Sequence, residues 1–92
     1  MAGAKAVWVQ QREYGEVGAA LARARGRARL TQKQLATRLR KPQSFVSNYE
    51  RGQRRIDILE LLRVVEALGG NPVQIFREIL KRTRANAKLH KP

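Results

Sequence analysis

Val17, Ala20, Leu21, Ala24 and Ala28 recur at i, i+3, i+4 and wider helical intervals, the spacing of one helix face, and predict a first helix over residues 14–27. The next begins inside Leu30-Thr31-Gln32-Lys33-Gln34-Leu35. Thr31 is placed to cap it, Gln34 to return the bond, and Leu30 with Leu35 to staple the entry. Asp57 with Glu60, stapled by Ile56 and Leu61, repeats the arrangement; Asn71 with Gln74 repeats it again, with Pro72 at the first helical position. Leu61, Leu62, Val65 and Leu68 form the expected inner face of a helix that stops at Gly69-Gly70, and Val73, Phe76, Ile79 and Leu80 that of the last helix. The pattern therefore predicts five helices, over residues 14–27, 32–39, 43–51, 58–68 and 72–82. Val7-Trp8-Val9 is too short an apolar run to name as a strand, and its role as core, dimer contact or an arm lying along a partner stays open. The fold class is all-α, a compact five-helix domain over 14–82, preceded by an arm (1–13) and followed by a basic, flexible tail (83–92) carrying Arg84, Lys88 and Lys91.

The third helix has an unusual polar side. At about 100° per residue, Gln43, Ser47, Arg51, Ser44 and Asn48 fall within one arc of about 140°, while Phe45, Val46 and Tyr49 fall outside it. Val46 and Tyr49 are expected in the core, and Phe45 in the core or as cover for the first helix. Only residues 40–42 separate this helix from the one before, so the two must cross steeply, which is helix-turn-helix spacing. In that geometry the second helix lies in the DNA major groove. Glutamine can bond adenine N6 and N7 together, and Ser and Asn supply further donors and acceptors.

Charge points the same way. The chain has 20 Lys and Arg against 7 Asp and Glu, a net +13, and from Arg23 to Arg55 eleven basic residues face one acid, Glu50. An anionic partner follows, either nucleic acid or an anionic membrane. Cysteine is absent, which excludes disulfides and thiolate metal sites, and His90 has no companion ligand. Asp57 and Glu60 read as caps and Glu50 as half of a local salt bridge. No nucleophile and base pair or phosphate-cradling glycine loop is legible, so neither enzyme activity nor a cofactor or metal is expected. No apolar run approaches about 18 residues, and a cytoplasmic protein without membrane contact is expected.

Leu30 to Gly52, LTQKQLATRLRKPQSFVSNYERG, resembles the helix-turn-helix of the Cro and phage-repressor (XRE) class of bacterial and phage DNA-binding proteins. The likeness rests on Gln32, Leu35, Ala36, Leu39, Val46, Tyr49 and the Glu50-Arg51-Gly52 helix end, and with the five helices it spans roughly residues 14–80. It implies a lambda-repressor-like fold and a transcription regulator of double-stranded DNA, a repressor occupying an operator. It also implies that Gln32 meets a phosphate and braces Gln43, that Gln43 and Ser44 contact bases with Asn48 as a further reader, and that Arg51 and Arg54 approach the backbone or base edges. Ser47 joins the readers by its place on the arc; Lys41 and Arg55 join the flanking contacts by charge. The chain departs from the class at Arg40, where relatives usually have glycine. A left-handed residue there costs about 1 kcal/mol, and Arg40 is itself placed to meet a phosphate. A homodimer would set two recognition helices about 34 Å apart, with the fifth helix and N-terminal segment, through Trp8, Phe76 and Leu80, as expected contact surfaces. Two other readings stand beside this one: an antitoxin-type module that also binds a toxin protein, and a nonspecific nucleic-acid binder relying on charge alone.

Overall fold

Side-chain caps set the helix starts. The computed structural model describes residues 8–89, with side chains through Arg84. Among them are α1 (Gln11–Arg27), α2 (Gln32–Leu39), α3 (Gln43–Glu50), α4 (Ile58–Leu68) and α5 (Pro72–Leu89). Val7, His90 and Lys91 lie outside the described residues. Thr31 Oγ1 accepts from the Gln34 N–H at 3.0 Å while Gln34 Oε1 accepts from the Thr31 N–H at 2.9 Å. Asp57 and Glu60 make the same reciprocal pair at 2.8 and 3.0 Å. Asn71 Oδ1 accepts from the Val73 and Gln74 N–H groups at 2.8 and 3.3 Å.

Two helices are longer than their patterns predict. α1 begins at Gln11, because Glu13 Oε1 accepts from the Gln10 N–H at 2.7 Å and so rewards an earlier start. α5 continues to Leu89 rather than ending near Arg82. The residues KRTRANAKL contain neither glycine nor proline, and a polar composition by itself does not end a helix.

Leu21, Leu35, Val46, Tyr49, Val64 and Val65 form the inaccessible centre of the core, joined by Ala20, Ala24, Ala36, Leu61 and Ile75. On α4, Val64 is buried together with Leu61 and Val65, whereas Leu62 is half-buried. On α5, Ile75 is buried while Val73 and Phe76 are 58% and 53% exposed. Residues 72–80 carry two apolar stripes, Ile75 with Ile79 and Val73 with Phe76 and Leu80. Both have helical period, and only the position of α1 and α4 beneath α5 selects the first.

The end of α3 is pressed against α1 through glycines. A β-carbon on Gly18 would fall 2.6 Å from the Glu50 carbonyl oxygen and closer still to that of Tyr49. Gly52 has φ +74°, and a β-carbon there would fall 2.8 Å from Gly15 Cα. Either replacement would push α1 off the end of α3. The α2–α3 turn closes through Arg40 at φ 57°, ψ 43°, with the Arg40 N–H donating to Thr37 O at 3.1 Å and the Lys41 N–H to Ala36 O at 3.0 Å. This is the left-handed helix terminus usually built on glycine. Arg29, after α1, is a second left-handed arginine with φ 59°, which the sequence pattern did not signal.

Candidate nucleic-acid interface

α3 turns Val46 and Tyr49 into the core and leaves Gln43 and Ser44 exposed, with Ser47 and Asn48 half-buried beside them. Phe45 is half-buried and packs against the core, as expected. Its ring meets Tyr49 edge-on at 5.4 Å between centroids and faces a recess of about 240 Å³ shared with Leu39, Leu59 and Val64. Two cations overlie the ring, the Arg54 guanidinium at 4.6 Å and the Lys41 ammonium at 5.8 Å.

Gln43 belongs to a chain of hydrogen bonds that starts in α1. Arg25 grips Glu50 with two bonds, Nε to Oε2 at 2.7 Å and Nη2 to Oε1 at 3.0 Å, and its Nη1 donates to the Leu30 carbonyl at 2.8 Å. Gln32 Nε2 donates to Glu50 Oε1 at 2.8 Å, and Gln43 Nε2 donates to Gln32 Oε1 at 3.4 Å. The Glu50 side chain is only 6% exposed. An ionised carboxylate is acceptor-only, so Gln32 must turn its NH₂ toward Glu50 and its oxygen toward Gln43. The hydrogen bonds that its guanidinium donates to Glu50 raise the Arg25 pKa above its ordinary value.

The expected salt bridge of Glu50 is therefore not local but links positions 25 residues apart. Arg25, counted from the sequence as surface charge, is an internal anchor. The available signal was Glu50 itself, one acid among eleven cations at the end of a recognition helix.

The flanking arginines divide. Arg51 is exposed, and its Nη2 donates to Asn48 Oδ1 at 3.0 Å, which leaves the Asn48 NH₂ outside that bond. Arg54 is tied inward: Nη1 and Nη2 reach Glu60 at 3.0 and 2.8 Å, and Nη1 also reaches the Arg55 carbonyl at 2.6 Å. That grip, followed by the Asp57 backbone N–H, holds the Glu60 carboxyl down at about 2. Arg55 is exposed, with its guanidinium 5.2 Å from the Tyr14 ring centroid. Arg40 and Lys41 are exposed in the turn, and Gln32 is half-buried beside Gln43.

Gln11 Nε2 donates to the Gly52 carbonyl at 3.0 Å, which fixes the start of α1 beside the loop after α3. Trp8 leaves this point 84% exposed, so a core role does not hold for it. α5 runs antiparallel to α1, since Arg82 meets Glu16 at 3.3 Å and Arg27 meets Glu78 at 3.4 Å. Trp8 and Phe76 consequently sit near opposite ends of α1, roughly 25 Å long at about 1.5 Å per residue, and do not form one patch. Among the described residues no group of three or more His, Asp or Glu side chains is arranged to hold a metal, and no helix is long and apolar enough to cross a membrane.

Residues 21–75 match the sequence family described as helix-turn-helix. No curated protein matches the chain. Among solved structures, an XRE-family like protein from Pseudomonas syringae pv. tomato is 36% identical, with a TM-score of 0.69 over 78% of this chain and 88% of that one. The clp gene regulator ClgR of Corynebacterium glutamicum is 26% identical, with a TM-score of 0.76 over 84% and 82%. The restriction-modification controller protein C.AhdI from Aeromonas hydrophila is 29% identical, with a TM-score of 0.64 over 74% and 97%.

Proposed function

Because the chain belongs to the XRE family of helix-turn-helix DNA-binding transcription regulators, we propose that it is a cytoplasmic repressor that reads a specific operator as a homodimer. One observation carries the reading: the uncharged polar face of α3 is presented to solvent while Gln43 is braced through Gln32 and Glu50 to Arg25. A side chain held this way loses less rotamer freedom on binding.

With α3 in the major groove, one Nε2 hydrogen of Gln43 stays on Gln32. The other is free for adenine N7, and Oε1 is free to accept from adenine N6. Ser44, Ser47 and the Asn48 NH₂ extend the readout along the arc. Gln32 has a second amide hydrogen for a phosphate, and Arg40, Lys41, Arg51 and Arg55 flank it as cations. Arg54 contributes indirectly, because its bonds to Glu60 and the Arg55 carbonyl fix the loop that presents Arg51 and Arg55.

The dimer reading is supported by α5. Val73, Phe76 and Leu80 follow a, d, a spacing on its outer side, with Val73 and Phe76 more than half exposed, a seam suited to a second copy of the same helix. The test is selection from randomised DNA at about 150 mM salt, where nonspecific binding is weak. A two-fold symmetric site is expected, with half-sites about 34 Å apart. Failure of any sequence to enrich, with the protein folded, would reject operator reading.

A further inference from the structure

The cations of this chain are not all on the side that carries α3. Around α1, Arg23 and Arg27 lie about 140° to 180° from Gly18, the residue against α3. They face α5 instead, where Arg77, Lys81 and Arg84 stand exposed at i, i+4 and i+7. Between the helices runs an open groove of about 540 Å³ lined by Arg23, Gln74, Arg77, Glu78, Lys81 and Arg82.

The groove holds far more positive than negative charge. Glu78 is shared by Arg23 at 3.6 Å, Arg27 at 3.4 Å and Arg82 at 3.4 Å, and Arg82 is also held by Glu16 at 3.3 Å. Arg77, Lys81 and Arg84 make no ion pair among the described residues. Arg23 and Arg27, although paired, remain 67% and 56% exposed. Four cations line the groove against one carboxylate, Glu78, and their mutual repulsion is maintained only at a cost that an anionic partner relieves.

We propose that the α1/α5 groove is a second DNA surface, which holds the phosphate backbone of another duplex segment while α3 reads the operator. The inference rests on the DNA-binding reading above and adds a second partner site to it. The row of cations on α5 extends about 10 Å along the helix at about 1.5 Å per residue, with Arg23 and Arg27 as a second row. A point anion would need one convergent cluster, whereas a row matches a polymer carrying a charge on each strand about every 3.4 Å. No apolar residue lines the groove, unlike the core of a protein–protein interface, and its Arg and Lys side chains suit sequence-independent phosphate contact. Because α1 stands between it and α3, a straight duplex seated on α3 does not reach it.

The experiment is a capture assay with the full chain. An immobilised duplex carrying the selected operator is saturated with protein, and recovery of a second, labelled duplex of unrelated sequence is measured at about 100 mM salt. Wild type is expected to capture it. Arg23→Ala with Arg27→Ala and Lys81→Ala, all exposed and away from the outer seam of α5, should leave occupancy of the operator within about twofold and reduce capture at least tenfold, with the salt slope of capture falling by about three for three lost phosphate contacts. No capture by wild type, or capture unchanged in the triple variant, overturns the proposal. A loss of operator affinity matching the loss of capture also overturns it, since the groove would then touch the same duplex. Displacement of the labelled duplex by single-stranded RNA at lower concentration than by unlabelled duplex would assign the face to RNA instead. Absence of operator binding by wild type would sink the DNA-reading hypothesis itself, a separate outcome from failed capture.

Discussion

Replacing Arg25 by methionine keeps most of the side-chain volume but leaves Glu50, 6% exposed, with Gln32 Nε2 as its remaining side-chain donor. Removing one partner of a buried pair costs about 3–5 kcal/mol where nothing else solvates the charge. Here Arg25 is itself 21% exposed and the Gln32 amide stays in place, which argues for the lower end; the Leu30 carbonyl also loses its Arg25 donor. The expected loss is about 2–4 kcal/mol, a large part of the roughly 5–15 kcal/mol available to a small domain. At about 4–8 °C per kcal/mol for a chain of this size, Tm should fall by at least about 8 °C. Urea denaturation at pH 7 measures the loss directly. Arg25→Met combined with Glu50→Gln should recover part of it, because the double variant buries no unpaired charge. Specific DNA affinity of the single variant should fall as well, since Gln32 is then free to follow Glu50 away from Gln43. A loss below about 1 kcal/mol, the range of solvent-exposed pairs, would refute the reasoning by showing that Glu50 is effectively hydrated.

Arg40→Gly should raise stability by about 1 kcal/mol by relieving a left-handed residue at φ 57° while weakening DNA binding; a lowered Tm would contradict the first half and unchanged affinity the second. Gln43→Ala should cost about 1–3 kcal/mol on the preferred operator and little on random DNA, read by titration against both; equal losses would remove it as a base reader. The Glu60 carboxyl, held at about 2 against an ordinary 4.5, gives stability that is complete above pH 4.5 and disappears as pH falls through 2. After solvent screening this amounts to on the order of 1 kcal/mol, and urea midpoints of wild type and Glu60→Gln between pH 7 and 2 should converge; parallel curves would show that the pair with Arg54 contributes nothing. Tyr49 buries its hydroxyl without a hydrogen-bond partner, and that burial raises its pKa. Tyr49→Phe should therefore be neutral or stabilising by up to about 1 kcal/mol in thermal melts, and a clear loss would mean the hydroxyl is satisfied in solution.

The helix starts at Thr31, Asp57 and Asn71 were legible in the sequence because a cap is completed within one turn, by residues three apart. The polar arc of α3 was legible for a related reason, since a helix fixes the angle between its own residues whatever surrounds it. The left-handed Arg40 was anticipated only through the resemblance to a class that usually has glycine at that position. Other features depended on partners far away in the chain. Arg25 and Arg54 are indistinguishable from surface arginines until folding brings Glu50 and Glu60 against them. Trp8 and Phe76 are equally apolar, yet the antiparallel course of α5 along α1 sets them apart. Ile75 was chosen over Val73 and Phe76 because α5 offers two stripes of the same period and α1 with α4 cover only one. Local sequence determines what a helix can present; the packing of the other helices decides which side is buried, which charges are spent inside, and which remain for DNA.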